Sequence, residues 1–339
     1  MDYIIYKHAK TQNVNFKNKG GESARFIPCV FVMNNLIGSD IRSILQRQHY
    51  RIVGNHSAVK LCHWTKKSIL DEGYCYKQKF YGIESHRCLQ MTPSVVWCTQ
   101  RCIFCWRNIE HTIGFKIERI DEPSEIIDGA IEGQRILLSG YGGIPERINK
   151  RKFKEAQNPN QSAISLSGEP TIYPKISELI EEFDRRGFTT FLVTNGTLPE
   201  RIENLEKPPT QLYLSLEAPN KELHKKICNP IISDAWERIN ETISILPSLD
   251  TRTVIRITAI RNTNMKNPED YARIISMAEP TFVEIKAFML LGGARDRLSI
   301  DNMPSHEEIE NFAKEIANEL SYRIKDRKED SRVVLLSRK

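Results

Sequence analysis

Six of the eight cysteines in this 339-residue chain lie between Cys62 and Cys105. A chain this long buries enough apolar surface to fold without covalent staples. Crowded thiols in it therefore point to metal or redox chemistry rather than to a disulfide framework. Three of them form the eight-residue run Cys98-Thr-Gln-Arg-Cys102-Ile-Phe-Cys105. Three thiolates on one short loop can converge on a small inorganic group. A [4Fe–4S] cube has four irons, and three protein ligands leave one of them open. Structural zinc is the alternative, but it prefers four ligands in paired C-x2-C spacing, and no second pair lies nearby. The other three, Cys62, Cys75 and Cys88, are spaced 13 residues apart. No single helix or loop presents such residues together. They are either three buried free cysteines or one site built from three separate segments. Cys29 and Cys228 fall outside both sets and read as structural.

The stretch that holds the cysteines is also basic. The chain carries a net charge of +6, and residues 41–110 hold eleven Lys or Arg against four acids, so the remainder is close to neutral. A positive field confined to one segment suits a polyanionic partner; the alternative is an ordinary solvated face. Nearby cations also favour thiolates. No run approaches the ~18 apolar residues of a membrane span. Met1–Lys10 includes Asp2, Lys7, His8 and Lys10 and lacks the apolar core of a signal peptide. A cytoplasmic protein with no membrane attachment is expected.

Apolar runs at Ser94–Trp97, Ala163–Leu166, Thr189–Val193, Gln211–Leu216, Val254–Ile260 and Phe282–Phe288 read as buried parallel strands. Amphipathic stretches at about 123–136, 175–187, 222–226, 233–246, 267–278 and 305–322 alternate with them. Alternation of this kind makes repeated βαβ units. The fold class is α/β, a partial (β/α)6 TIM-like barrel over residues 93–325. A helical segment over 33–92 carries the second cysteine set, and 326–339 form a tail or edge strand built on Arg332–Leu336. Residues 1–32 read as a flexible extension or a misread start. One long insertion, Ser139–Gln161, reads as structureless, and such a stretch is usually functional or mobile; it holds Arg147, Lys150, Arg151, Lys152 and Lys154.

Active sites of βα barrels sit at the C-terminal ends of the strands. Ser167-Gly168-Glu169-Pro170 closes the second predicted strand, Thr194-Asn195-Gly196 the third and Ser215-Leu216-Glu217 the fourth, and Thr258 lies on the fifth. Taken singly, these are equally turn residues or helix caps. Together with a C-x3-C-x2-C loop that follows a first strand, they resemble the radical S-adenosylmethionine enzymes. The resemblance implies that the open iron at Cys98, Cys102 and Cys105 chelates S-adenosylmethionine, whose reductive cleavage yields a 5′-deoxyadenosyl radical. It also implies that Ser167, Gly168, Glu169, Asn195, Ser215, Glu217 and Thr258 border that cofactor.

Longer stretches narrow the resemblance. Ala58-Val-Lys-Leu-Cys62-His-Trp, Cys75 through Cys88, Thr92-Pro-Ser-Val-Val-Trp-Cys98, Cys105-Trp-Arg107, Ser215-Leu-Glu-Ala-Pro219 and Phe282-Val-Glu-Ile-Lys-Ala-Phe288 are similar to the archaeal tRNA 4-demethylwyosine synthases, over roughly residues 35–325. That likeness implies a lyase-type enzyme. Its substrate would be tRNA-Phe bearing N1-methylguanosine just 3′ of the anticodon, to which two carbons of pyruvate are added to close a third ring. It implies a second [4Fe–4S] cluster at Cys62, Cys75 and Cys88 whose open iron binds pyruvate, and a Schiff base between pyruvate and Lys77, with Lys79 and Lys286 as competitors. A Schiff base needs a neutral amine, which a dry, cation-rich site favours. An external electron donor such as ferredoxin or flavodoxin follows, and a monomer is expected. The anticodon loop would meet Arg101, Arg107, Lys150, Arg151, Lys152 and Lys154 through its phosphates, and Trp106, Trp64, Phe80 or Tyr81 through stacking. Two other readings remain: a different radical S-adenosylmethionine RNA-modifying enzyme or maturase with an auxiliary cluster, and a zinc- or cluster-bearing RNA-binding protein without enzymatic activity.

Overall fold

The computed structural model describes residues 36–338; the expected extension over 1–32, with Cys29, lies outside them. Among the described residues there are ten strands: β1 (Arg51–Val53), β2 (Ser57–Val59), β3 (Cys88–Thr92), β4 (Gln161–Ile164), β5 (Thr189–Thr194), β6 (Gln211–Ser215), β7 (Arg252–Ala259), β8 (Phe282–Ala287), β9 (Tyr322–Lys328) and β10 (Val333–Arg338). They form one sheet in the order β1-β2-β3-β4-β5-β6-β7-β8-β10-β9. The pairings from β3 to β8 are all parallel, and the flanking ones are antiparallel. The helices between them are α1 (Ser39–Arg47), α2 (His63–Ile69), α3 (Tyr76–Tyr81), α4 (Pro123–Leu138), α5 (Lys150–Ala156), α6 (Ile176–Arg185), α7 (Pro199–Glu203), α8 (Lys221–Cys228), α9 (Ala235–Ile245), α10 (Pro268–Ala278) and α11 (His306–Asn318).

The alternation within each strand divides the core. Leu212 and Leu214 of β6, Ile255 and Ile257 of β7, and Val283 and Ile285 of β8 face outward and pack with Leu179, Ile243, Ile275 and Phe312 of the helices. Phe191, Tyr213, Val254, Phe282 and Leu335 face inward and make a separate apolar floor, against which Phe80 and Tyr81 pack. This is the period-two pattern of a curved sheet with one face turned inward. Helix starts follow ordinary end chemistry. Pro occupies the first turn of α4 and α10, and Ser305 with Glu308 forms a capping box at α11.

The first parallel strand is Cys88–Thr92, not Ser94–Trp97. The latter is a tight turn in which the Trp97 N–H donates to Ser94 O, and Pro93 before it cannot serve a central ladder. Its apolar residues are buried, and its backbone bonds to His56 and Ile113 rather than to a neighbouring parallel strand. The tail strand is not at an edge: β10 lies between β8 and the unexpected β9. β9 reads Tyr-Arg-Ile-Lys-Asp-Arg-Lys and alternates between covered and exposed residues, as a charged edge strand does. A hairpin, β1–β2, precedes β3 in the segment expected to be helical. The insertion over 139–161 is not structureless, because α5 occupies it and Asn149 accepts the Lys152 N–H at its start.

A partial barrel leaves a lateral gap, and α2–α3 spans it. Lys79 of α3 donates to the Arg327 carbonyl of β9 at 2.7 Å. Tyr76 and Tyr81 reach Glu284 of β8 at 3.2 and 2.6 Å, and Lys328 of β9 lies 4.3 Å from the ring of Tyr74.

Candidate active site

Inside the sheet lies a cavity of about 490 Å³ lined by all six clustered cysteines. Its upper wall is the loop after β3. The Ser167–Pro170 turn locks that loop from below: Ser94 Oγ donates to Glu169 O at 2.8 Å, Ser167 Oγ donates to Val95 O at 2.7 Å and the Glu169 N–H donates to Trp97 O at 2.8 Å. Gly168 has φ +71°, and a Cβ there would stand 1.8 Å from Ser94 O. The glycine therefore serves a close approach between two stretches of this chain's own backbone. The loop after β8 closes in the same way from the other side. A Cβ on Gly292 would meet Trp106 O at 2.2 Å, and one on Gly293 would meet Arg107 O at 2.6 Å. Nothing in the sequence pattern singled out that pair.

Within the loop, burial pushes the Cys98 thiol up to about 12, against the pull of the Arg107 guanidinium. The neighbouring Cys228 thiol, then burial, holds Cys102 well above the ordinary thiol range. Cys228 thus packs directly on the loop rather than apart from it. Buried thiols beside a buried guanidinium form a donor set whose deprotonated state needs a metal-bearing group to offset it. A single tetrahedral zinc ion requires sulfurs about 3.8 Å apart for its ~2.3 Å bonds. Among the described residues, the group of three or more possible ligands whose donor atoms lie within 4.8 Å of one another is Glu84, His86 and Glu155, and it contains no cysteine. Both cysteine sets are wider than one ion demands, which fits a cluster of several irons.

Along the rim, Glu169 Oε1 accepts from the Thr171 N–H and hydroxyl and from the Thr194 hydroxyl, while Oε2 accepts only the Asn195 N–H. One oxygen is saturated and the other keeps acceptor capacity at the cavity wall. Burial raises this carboxyl above its ordinary value. Asn195 donates to Thr99 Oγ1 at 3.0 Å. Glu217 accepts the Thr258 N–H and hydroxyl at 2.8 and 3.1 Å, and burial pushes it up to about 7. Ser167, Gly168, Glu169, Asn195, Ser215, Glu217 and Thr258 all line the cavity.

The lower end is built by three segments. Cys62 and Cys75 precede the first turns of α2 and α3, and Cys88 opens β3. Ser85 joins them: its Oγ accepts the Cys75 N–H at 2.9 Å and donates to Gln78 at 2.8 Å, and its carbonyl accepts the Thr65 hydroxyl at 3.0 Å. Burial raises the Cys75 and Cys88 thiols, and the nearby Cys62 raises both further. Lys77 is 7% exposed, with its amine 4.3 Å from the ring of Phe191 and 4.5 Å from that of Tyr213. Burial and then Arg256 push it down to about 8. Lys286 also lines the cavity. Lys79 does not; it pairs with Asp326 at 2.8 Å on the outside.

Residues 92–275 match the model of the radical SAM superfamily, and residues 277–338 match that of wyosine base formation. The S-adenosyl-L-methionine-dependent tRNA 4-demethylwyosine synthase of Pyrococcus horikoshii is 52% identical over 304 residues, covering 88% of this chain and 89% of that protein. The enzyme of the same name from Methanocaldococcus jannaschii is 45% identical over 309 residues, covering 89% and 96%. The chain belongs to the tRNA 4-demethylwyosine synthase family. A solved structure described as TYW1 with a lysine-pyruvate adduct bound superposes with a TM-score of 0.82 at 43% identity, covering 89% of this chain and 96% of that one. A crystal structure of archaeal TYW1 superposes with a TM-score of 0.74 at 40% identity. The partial radical SAM barrel is thereby established.

In this 4-demethylwyosine synthase family member the basic residues expected at the surface separate into groups. Arg101, Lys150, Arg151 and Lys154 are exposed. Arg151 is tied to Glu155, and Lys152 to Asp71. Arg107 is not at the surface at all: it is 8% exposed and lies against Cys98 and Cys105. The aromatic residues are mostly engaged as well. Trp106 stacks on Tyr50 with centroids 5.9 Å apart and Lys60 over both rings, Trp64 meets His63 edge-on, and Phe80 and Tyr81 belong to the barrel floor. Sequence reasoning missed Glu284. It is fully buried and joins Arg256 to three tyrosines. The alternation Phe282-Glu284-Lys286 along β8 was the available signal.

Proposed function

We propose that this chain is a tRNA 4-demethylwyosine synthase that joins two carbons of pyruvate to N1-methylguanosine beside the anticodon of tRNA-Phe, with one [4Fe–4S] cluster at Cys98, Cys102 and Cys105 and a second at Cys62, Cys75 and Cys88. The observation that carries this reading is the position of Lys77. Its buried amine opens into the same cavity that both cysteine sets line, and the solved relative at 43% identity is described with a lysine-pyruvate adduct. When bound, the upper cluster and S-adenosylmethionine supply the hydrogen-abstracting radical, a chemistry that belongs to the cofactor.

The chain's own residues do the rest. Lys77 Nζ attacks the ketone carbon of pyruvate, the C=O oxygen leaves as water and a C=N bond forms. Burial between Phe191 and Tyr213 favours the unprotonated amine that this attack requires. Glu169, Asn195, Ser167, Gly168, Ser215, Glu217 and Thr258 border the upper half, where S-adenosylmethionine would lie. Arg107 offsets the negative charge of the upper thiolates. Arg101, Lys150 and Lys154 are the exposed cations available to the tRNA backbone. An external donor such as ferredoxin or flavodoxin would deliver the electron, and the protein would act as a cytoplasmic monomer.

Anaerobic incubation with dithionite, S-adenosylmethionine and tRNA tests the activity: N1-methylguanosine should disappear only when pyruvate is present. Borohydride trapping with labelled pyruvate tests the residue. Label should sit on Lys77, and wild-type labelling in Lys77→Ala would refute the assignment. An iron content of about eight per chain is expected for two cubes.

A further inference from the structure

We propose that Arg256 and Lys286 form the receptor for the carboxylate of the 2-oxo acid that condenses with Lys77; this rests on the reading of Lys77 given above. Both residues occupy inward positions of adjacent parallel strands. Arg256 of β7 is the register partner of Glu284 of β8, and Thr258 is that of Lys286. Both line the cavity that Lys77 faces. Glu284 is fully buried and accepts from Arg256 Nε at 3.1 Å, from Arg256 Nη2 at 3.0 Å and from the hydroxyls of Tyr76, Tyr81 and Tyr213 at 3.2, 2.6 and 3.2 Å. Five donors exceed the roughly four acceptor sites of a carboxylate, so Glu284 has nothing left for a second cation.

That leaves positive charge to spare. Arg256 Nη1 has no partner among the described residues. Among the described residues, the Lys286 amine reaches the Ser331 carbonyl at 3.5 Å and the face of Tyr76 at 5.4 Å, with Cys75, Glu284 and Cys62 near enough to act on its charge but no carboxylate bonded to it. Two cations thus face the cavity against one saturated carboxylate. A buried cation without a counter-charge is strongly unfavourable, and a forked guanidinium held rigid by its neighbours suits a planar carboxylate. The two groups flank the compartment of Lys77, so a 2-oxo acid anchored there by its carboxylate presents its ketone carbon to the amine. Glu284 and the tyrosines act as positioning residues that fix the fork. The competing account is that these cations serve only to offset a cluster at Cys62, Cys75 and Cys88.

The test compares pyruvate with methyl pyruvate, which carries the same ketone without the charge, on cluster-loaded protein. Imines are trapped with cyanoborohydride, and the adduct is located by peptide mass spectrometry. Wild type should label Lys77 with pyruvate faster than with the ester by about tenfold or more. Lys286→Met should lower that preference several-fold. The double variant Arg256→Met/Glu284→Gln, which removes the cation together with its carboxylate and so orphans no buried charge, should bring it close to unity, and Arg256→Lys should restore part of it. Circular dichroism and iron content confirm that each variant is folded and loaded. An unchanged preference in both Lys286→Met and the double variant, with the adduct still on Lys77, overturns the receptor. So does a preference that vanishes only when the lower cluster is removed. Failure of wild type to label Lys77 at all would instead refute the reading on which the receptor rests.

Discussion

The two cysteine sets reach one cavity by opposite routes. Cys98, Cys102 and Cys105 sit on one short loop, pinned by backbone contacts from the turns after β4 and β8. Cys62, Cys75 and Cys88 come from three segments that meet only because Ser85 and its partners tie two short helices to the start of a strand. A local site needs a rigid frame around it, whereas a dispersed site needs the fold to complete it. The upper set is therefore vulnerable at glycines that permit close approach, and the lower set at the hydrogen bonds that hold separate segments together.

The largest effect follows from emptying either site. Replacing Cys98, Cys102 and Cys105 by Ala should abolish cleavage of S-adenosylmethionine and leave about four irons per chain. Replacing Cys62, Cys75 and Cys88 should also leave about four, yet S-adenosylmethionine should still be cleaved to deoxyadenosine, with the tricyclic base absent. Iron counting and product chromatography distinguish the two outcomes. Complete loss of iron from either triple variant would break the picture of two independent sites.

Smaller lesions separate the two frames. Gly168→Ala puts a methyl group 1.8 Å from Ser94 O at a positive φ. The backbone must move, at about 3 kcal/mol, and the melting temperature should fall by about 4 to 5 °C. Ser85→Ala leaves the Cys75 N–H without its acceptor, while Gln78 Oε1 keeps only the Ser85 backbone N–H, at about 2 kcal/mol. Its iron loss should fall on the lower set while deoxyadenosine formation persists. Equal loss of both functions in the two variants would mean that the sites share one frame.

The same contrast governs how much could be read in the chain. The upper loop is legible because its ligands and spacing are contiguous, and Gly168 and Glu169 follow at a recognisable strand end. The pattern of alternating strands and helices also located most of the barrel. Ser94–Trp97 misled because a buried turn and a buried strand have the same apolar composition; only Pro93 speaks against a ladder there. β9 escaped because charged residues on an edge strand look like a solvated tail. Arg107 was placed at the surface because charge alone does not reveal burial, and its position depends on thiols that attract it from the same loop. Glu284 escaped because one acid in an apolar strand carries no signal until Tyr76, Tyr81, Tyr213 and Arg256 converge on it from other elements.

Acid provides a gentler probe of the upper frame. Gln100, inside the cysteine loop, donates its amide to His224 Nε2 at 3.1 Å and accepts from the Cys102 thiol at 3.4 Å. An amide nitrogen can only donate, so His224 must stay neutral, and burial pushes its pKa down to about 4. The folded pKa lies below the ordinary value of about 6.5, so the unfolded chain binds the proton first. Stability is then full above pH 6.5 and is lost as pH falls toward 4. Urea midpoints should report a loss of about 2 kcal/mol between pH 7 and pH 5 from this group, and His224→Gln should flatten that slope. A slope unchanged in the variant would remove His224 from the frame.

The weakest expected effects lie outside the cavity, where buried and exposed cations differ. Arg107 is buried against thiols, whereas Arg101, Lys150 and Lys154 are exposed and make no ion pair among the described residues. Each exposed cation that meets a phosphate of the tRNA releases about one counterion, so replacing it by Ala should weaken binding a few-fold and reduce the salt slope of the affinity by roughly 0.7 to 1. Arg107→Ala should leave that slope unchanged while loosening the upper cluster, because its charge faces Cys98 and Cys105 rather than solvent. Filter binding of tRNA at several salt concentrations, run beside an iron assay, measures both. A salt slope that falls in Arg107→Ala and not in the exposed variants would invert the assignment of these residues.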